Sequence, residues 1–204
     1  MTDAKALTSK GKRSAGRVLQ AATTVLARDG FGGATLSRIA DEAGLDKRTI
    51  LYYYGSREAL LVRVVQTVGE RIVAHTEAAI ADDADPAQMA ETAVETLWAG
   101  VTSAPELARA YFALIGGGAG APVVEDALRT LKQAYLDLIL RQLHNIEAAH
   151  GRRLGDSDAV ATFALALLRG LLLEWTEAGD SEEVQAGLRR FKRLVARELA
   201  LAPG

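Results

Sequence analysis

Residues 35–54 read Thr-Leu-Ser-Arg-Ile-Ala-Asp-Glu-Ala-Gly-Leu-Asp-Lys-Arg-Thr-Ile-Leu-Tyr-Tyr-Tyr. This spacing predicts two short helices joined by a tight turn. The small side chain of Ala40 lets two helices cross closely, and Gly44 can adopt the left-handed backbone that ends the first helix. Ile39, Leu45 and Ile50 can then share one small core. We therefore predict a helix-turn-helix over residues 35–54.

The second helix of this motif leaves a polar and aromatic face outside the core, formed by Lys47, Arg48, Leu51 and Tyr52. Such a face suits phosphates and base edges of DNA. The guanidinium fork of Arg48 matches the O6 and N7 acceptors of guanine, and Leu51 can contact a thymine methyl group. The motif is therefore expected to bind DNA through its second helix.

Arg57 lies in the first turn of the next helix, where the helix dipole disfavours a cation. Together with the free amides of that turn it could hold a phosphate, although a solvent-exposed bystander is the alternative. The side chain of Tyr53 falls nearer the Ile50 face and is expected to be partly in the core. The other candidate DNA contacts are Thr35, Ser37, Arg38, Lys47, Thr49, Tyr52 and Tyr53.

The charge of the chain is uneven along its length. Residues 1–63 carry a net charge of +5 and residues 64–204 a net charge of −7. A basic first third suggests that a polyanion binds there, although chance unevenness would give the same numbers. The basic residues of the N-terminal run could follow the DNA backbone or form a solvated tail. They are Lys5, Lys10, Lys12, Arg13 and Arg17.

Nothing in the 204 residues has the pattern of strands, and glycine and proline divide the chain into nine helical segments. We expect helices to start at the caps Thr35, Asp46 and Ser56 and at a capping box of Ser103 and Glu106. The fold is expected to be all-α, with a DNA-binding domain over residues 12–72 and a second helical domain over residues 73–204.

The rest of the sequence bears on the cellular location of the protein. There is no cysteine, which is compatible with a reducing cytosol. The most apolar segment, Ala159 to Trp175, is interrupted by Arg169 and Glu174 and is shorter than the roughly 20 residues of a membrane span. We therefore expect a cytoplasmic protein without a membrane segment.

Residues 12–72 resemble the tetracycline-repressor (TetR) family of bacterial transcription regulators. The resemblance rests on Ala21-Ala22, Asp29-Gly30-Phe31, Thr35-Leu36, Ile39-Ala40, Ala43-Gly44-Leu45, Thr49-Ile50, Tyr53-Tyr54 and Ser56-Arg57-Glu58-Ala59-Leu60. It implies a homodimer in which three small helices bind DNA and a larger helical domain holds a ligand pocket and the dimer interface. The chain departs from the family pattern at Arg48, Leu51 and Tyr54, where Gly, an aromatic residue and Phe are usual. The first two departures imply an unusual operator, and the third is a mild change.

The second domain contains two further sets of candidate residues, one for a dimer interface and one for a ligand pocket. The helix from Ala159 to Trp175 is apolar nearly all round, so both of its faces must be covered, either by a second copy of the chain or by the core of a monomer. The interface candidates on this helix and the last one are Phe163, Leu167, Leu168, Leu171, Trp175, Leu188, Phe191 and Val195. The candidates for a small-molecule pocket, each of which could equally be plain core, are Trp98, Tyr111, Phe112, Tyr135 and His144.

We expect a homodimeric repressor that binds double-stranded operator DNA and is released by an unknown small-molecule effector. A DNA-binding regulator without a small ligand and a small helical enzyme are the alternatives. No catalytic constellation or cofactor motif is evident, and His75, His144 and His150 do not have zinc-ligand spacing. We therefore expect neither an enzyme nor a metal or cofactor site.

Overall fold

The computed structural model describes residues 8–76, 86–150 and 156–201, and in these parts the chain forms nine α-helices and no strand. The all-α prediction is thereby confirmed. The helices are α1 (Ser9–Gly33), α2 (Leu36–Ala43), α3 (Lys47–Tyr54), α4 (Arg57–Thr76), α5 (Pro86–Thr102), α6 (Pro105–Gly117), α7 (Pro122–His150), α8 (Ser157–Ala178) and α9 (Glu182–Leu201).

Side-chain caps begin the helices where the sequence predicts them. The side chain of Thr35 accepts a hydrogen bond from the backbone N–H of Arg38 at 3.3 Å. Asp46 accepts one from the N–H of Thr49 at 2.6 Å, and that bond is the main cause of the lowered pKa of its carboxyl group. Gly30 has φ +72°, which breaks α1 where the sequence predicts its end, although three more residues continue as a further turn.

One predicted cap is wrong. The hydroxyl of Ser103 donates to the carbonyl of Gly100 at 2.7 Å and belongs to the end of α5. Helix α6 begins instead at Pro105, and the carbonyl of Ala104 accepts its first intrahelical bond. Proline is favoured at a first helical position because its missing N–H has no partner there. The helical pattern that begins after Ser56 extends in the sequence to about Ala81, and the part beyond Thr76 lies outside the described residues.

The chain divides into two compact units. The N-terminal unit comprises Met1–Thr67 with Arg109–Leu128, and the C-terminal unit comprises Val68–Ala108 with Arg129–Gly204. The first unit therefore includes residues 109–128 from the middle of the chain. The predicted domain boundary at residue 72 does not account for this segment. A contact explains this inclusion, because Gly117 at the end of α6 lies against the side chain of Phe31.

The C-terminal unit is held by α5, α8 and α9, each of which packs against the other two. The indole rings of Trp98 and Trp175 meet edge to face with centroids 6.4 Å apart, and Lys192 pairs with Glu95. By length and composition α8 could cross a membrane, contrary to the expectation from its apolar stretch. One such helix is weak evidence for a membrane span. Leu165, Leu168 and Leu172 of α8 are buried within the chain, although most of the apolar window of this helix is not.

Candidate nucleic-acid interface

The turn between α2 and α3 fixes the angle between these two helices of the N-terminal unit. Gly44 has φ +60° and ψ +41°, and its neighbour Leu45 donates its backbone N–H to the carbonyl of Ala40 at 3.0 Å. Behind the turn Ile39 and Ile50 are fully buried, and Leu45 is half-buried. The predicted helix-turn-helix is therefore present, with the core contacts that its spacing requires.

The outer face of α3 carries the four residues that the sequence assigns to it. Lys47 and Arg48 are exposed, Leu51 is 41% exposed and Tyr52 is 73% exposed. Tyr53 is half-buried, as predicted, and its ring meets that of Tyr52 edge to face at 5.2 Å. A short helix that presents two cations beside an exposed apolar and an exposed aromatic side chain has the chemistry of a DNA-reading surface.

Helix α2 and the end of α1 form a charged cluster within the same unit. Arg38 is exposed and its Nη1 lies 3.2 Å from Oδ2 of Asp29, which also pairs with Arg28 at 3.0 Å. The hydrogen bond from Arg28 lowers the pKa of Asp29. Asp29 thus stays ionised and holds one side of the Arg38 guanidinium. Of the other α2 candidates, Thr35 is exposed and Ser37 is half-buried, and Thr49 of α3 is half-buried as well.

Arg57 lies in a different environment from the one the sequence suggests. Its Nε donates to the carbonyl of Ala34 at 2.7 Å, its Nη2 donates to the carbonyl of Phe31 at 2.5 Å, and its Cζ lies 4.6 Å from the Phe31 ring centroid. The side chain is only 21% exposed. These carbonyls at the end of α1 offset the unfavourable dipole at the start of α4. We therefore assign Arg57 a structural role in place of the phosphate contact.

Two bonds tie α1 to the helix-turn-helix, and the sequence reveals neither. Arg17 donates to the carbonyl of Ala43 at 2.5 Å, so this member of the basic run supports the end of α2. The hydroxyl of Tyr54 donates to the carbonyl of Ala15 at 2.8 Å, and burial raises its pKa. The replacement of Phe by Tyr is thus not a mild change, since it adds a bond across 39 residues. Lys10, Lys12 and Arg13 are exposed, and Lys5 lies outside the described residues.

Changing Tyr54 to Phe is expected to lower the free energy of unfolding by about 1 kcal/mol, because one part-buried hydrogen bond to α1 is lost. Urea unfolding followed by circular dichroism measures this difference. Tyr52 to Phe is the matched control, since the ring of Tyr52 is mostly exposed. If the two variants unfolded at the same urea concentration, the bond to Ala15 would contribute nothing.

None of the five residues predicted for a ligand pocket lines the apolar cavity that the described residues form in the C-terminal unit. Tyr111 and Phe112 belong to the N-terminal unit, where their rings pack with centroids 5.3 Å apart. Trp98 and Tyr135 are buried in the C-terminal unit and His144 is exposed there. A cavity in the C-terminal unit has other walls, which include Leu138, Leu168 and Phe191.

The residues predicted for the dimer interface differ in how far they are buried within a single chain. Three of them, Leu168, Leu188 and Phe191, are at most 9% exposed within a single chain and belong to its own core. Phe163 is 51% exposed. The half-buried members are Leu167, Leu171, Trp175 and Val195.

No group of three or more His, Asp or Glu side chains suited to a metal ion occurs among the described residues. Taken together, the helices of the described residues and the exposed face of α3 define the class of all-helical proteins with a helix-turn-helix unit whose surface suits DNA.

The family comparison agrees with this class. A model described as bacterial regulatory proteins, tetR family, matches residues 18–64, which run from α1 into α4. Residues 18–64 thus have the sequence pattern of the tetR family of bacterial regulatory proteins.

Two curated relatives and one solved structure extend the comparison. The chain is 30% identical over 86 residues to the HTH-type transcriptional repressor NicS of Pseudomonas putida, covering 42% of this chain and 41% of NicS. It is 36% identical over 69 residues to the HTH-type transcriptional regulator RutR of Escherichia coli, covering 31% of this chain and 32% of RutR. The chain thus matches less than half the length of either relative.

The structural likeness covers nearly the whole chain. The transcriptional regulator FadR of Bacillus subtilis, solved in complex with stearoyl-CoA, superposes with a TM-score of 0.73 at 16% identity, over 89% of this chain and 97% of FadR. At that identity the likeness concerns the fold.

Proposed function

We propose that the protein is a homodimeric transcriptional repressor that binds operator DNA through α3 and is released by a small organic effector. The observation that carries the proposal is the outer face of α3, where Lys47, Arg48, Leu51 and Tyr52 are exposed above a buried Ile50. This face combines phosphate-binding cations with groups that discriminate base edges. The cytoplasm, where the DNA is, is the compartment that this function requires.

We propose the following division of contacts within the interface. Arg48 and Leu51 read bases, and Lys47 and Tyr52 contact the backbone together with Thr35 and Arg38. The hydroxyl of Thr35 accepts its capping bond and can still donate one to a phosphate. Ser37, Thr49 and Tyr53 are half-buried and contribute at the edge of the contact.

A dimer is proposed because a palindromic operator needs two recognition helices about 34–36 Å apart, or a little more. The outer side of α8 supports it. Phe163 and Leu173 are 51% and 41% exposed, and the small residues Ala166 and Gly170 lie exposed between them. These four recur at helical spacing, so two copies of α8 can pack with the same stripe on each side. This interface replaces the predicted one in which Leu168, Leu188 and Phe191 took part.

Binding of the purified protein to fluorescently labelled duplexes tests the proposal. A duplex enriched from a random library by repeated selection is compared with a shuffled duplex of the same composition at fixed salt. We expect a palindromic selected sequence, two chains bound per duplex, and an affinity about 10³-fold or more above that for the shuffled duplex. Equal affinity for both duplexes would exclude a sequence-specific regulator.

Replacing Arg48 with alanine is expected to relax discrimination at one base pair in each half-site. The lost bidentate contact corresponds to about 1–3 kcal/mol, measured as the difference in binding free energy between the selected duplex and duplexes changed at single positions. Lys47 to Ala is the matched control on the same face. It should weaken binding to every duplex alike and reduce the salt slope by about one unit. A uniform loss of affinity in the Arg48 variant would contradict base reading.

The proposed release by an effector is a coupling free energy between two sites. A coupling of about 1–3 kcal/mol would lower operator affinity 5- to 150-fold. The stearoyl-CoA complex of FadR supports an organic effector for a protein of this fold. A regulator that no small molecule releases is the second candidate, and addition of metabolites to the protein–operator complex separates the two.

A further inference from the structure

We infer that the effector binds in an apolar cavity between α5, α7, α8 and α9 of the C-terminal unit, and that its buried part is an uncharged hydrocarbon group. The inference rests on the proposed release by an effector and specifies the chemical class of that ligand. None of the five residues predicted from the sequence for a pocket lines this cavity.

The walls of the cavity are hydrocarbon on every side. Helix α5 contributes Ala93, Val94 and Leu97, and α7 contributes Leu138, Ile139 and Leu143. The walls from α8 and α9 are Val160, Ala164, Leu168, Phe191 and Val195. The wall area exposed to the cavity is apolar, and Gln142 is the one polar residue among those that line it. No charged residue contributes to the lining.

This lining selects against ions and against water. A carboxylate or phosphate buried there would lose its hydration and find no cation, which costs far more than burial of a hydrocarbon. The cavity volume is about 50 Å³, more than the 10–15 Å³ that one water needs, but a buried water also needs two to four polar partners. A hydrocarbon group has no charge to dehydrate and needs no polar partner, and its transfer from water into the cavity is favourable.

Gln142 lines the cavity without exposing a polar atom to it, because the exposed wall area is wholly apolar. A neutral hydroxyl or carbonyl buried there would lose its hydrogen bond to water, which costs far less than the burial of a charge. The matching ligand is therefore a hydrocarbon with at most one neutral polar group.

The size of the cavity links binding to the proposed dimer. Benzene occupies an engineered cavity of about 150 Å³, so a ligand of eight carbons must move the walls of this one apart. Leu168 of α8 lies in the wall while Phe163 and Leu173 lie on the outer side of the same helix. A ligand that displaces α8 thus acts on the helix proposed to join the two copies.

Two probes that differ mainly in charge test the chemistry. The full chain is titrated calorimetrically at pH 7.5 with octan-1-ol and with octanoate, both below the concentrations at which they aggregate. We expect octan-1-ol to bind saturably and octanoate to bind at least about tenfold more weakly. Equal affinity for the two probes, or no octan-1-ol binding up to its solubility, would overturn the inference.

Substitutions in the cavity wall test whether octan-1-ol binds in this cavity. Ala164 to Leu fills the cavity from α8, and we expect it to weaken octan-1-ol binding at least about tenfold. Ala134 to Leu, at an exposed position of α7, is the matched control and should bind as the wild type does. If the Ala164 variant does not fold, Ala93 to Leu fills the cavity from α5. Unchanged binding in a folded cavity-filled variant would also overturn the inference.

Operator binding is measured separately with each probe present. Octan-1-ol that binds the protein but leaves operator affinity unchanged would support the site and contradict release by this class of ligand. Specific operator binding without any octan-1-ol binding would contradict the site and leave DNA recognition standing.

Discussion

Replacing Arg57 with alanine is expected to lower the free energy of unfolding by about 3 kcal/mol and to weaken operator binding without changing its salt dependence. The guanidinium donates to the carbonyls of Phe31 and Ala34 and lies over the Phe31 ring. It is mostly shielded from solvent, so its removal leaves part-buried carbonyls without that donor. The connection between α1 and α2 would lose its main side-chain support.

Two measurements distinguish this structural role from a phosphate contact. Urea unfolding gives the loss of stability, and operator titrations at several salt concentrations give the slope of log affinity against log salt. A phosphate contact would reduce that slope by about one unit while leaving stability nearly unchanged. Arg57 to Lys is the informative control, because it keeps the charge but lacks the planar fork that reaches both carbonyls. Full stability of the lysine variant would show that charge alone suffices.

Replacing Gly117 with alanine is expected to destabilise the N-terminal unit by about 1–3 kcal/mol through overpacking. A methyl group at this position would overlap Cβ of Phe31 and lie 3.0 Å from its Cγ. The Phe31 side chain cannot move away freely, because the guanidinium of Arg57 lies over its ring. The variant should lose thermal stability and operator affinity together, as measured by calorimetric unfolding and by the anisotropy of labelled operator.

The neighbouring Gly116 provides a matched control for this variant. A Cβ added at Gly116 meets no atom within 4 Å. Alanine there should be neutral or should stabilise the protein by up to about 1 kcal/mol, since glycine is unfavourable within a helix. If both alanine variants behaved alike, helix propensity rather than the contact with Phe31 would govern this end of α6.

Arg57, Phe31 and Gly117 show where sequence reasoning about the site succeeded and where it did not. The exposed position of Arg48 and Leu51 follows from the helical period and the buried Ile50, which are local. The position of Arg57 beside a helix start is also local, and it correctly marks an unusual residue. Its partners lie 23 and 26 residues away, so no local pattern distinguishes carbonyl oxygens of the protein from phosphate oxygens of DNA.

The same limit applies to the C-terminal unit. The apolar character of α8 is visible in the sequence, but which leucines face inward depends on where α5 and α9 pack. The structure buries Leu168 and Phe191 and leaves Phe163 exposed. Aromatic residues on the middle helices suggested a pocket, whereas the cavity that forms is walled mainly by aliphatic side chains.

The sequence by itself determined the nine helices that the described residues form, their main caps, the turn at Gly44 and the outward face of α3. Each of these depends on backbone preferences and periodicity within a few residues. Only the tertiary structure decided the partners of Arg57, Arg17 and Tyr54, the inclusion of the end of α6 in the N-terminal unit, and the walls of the cavity. These depend on contacts between segments distant in the chain, and their geometry is set by how the helices pack together.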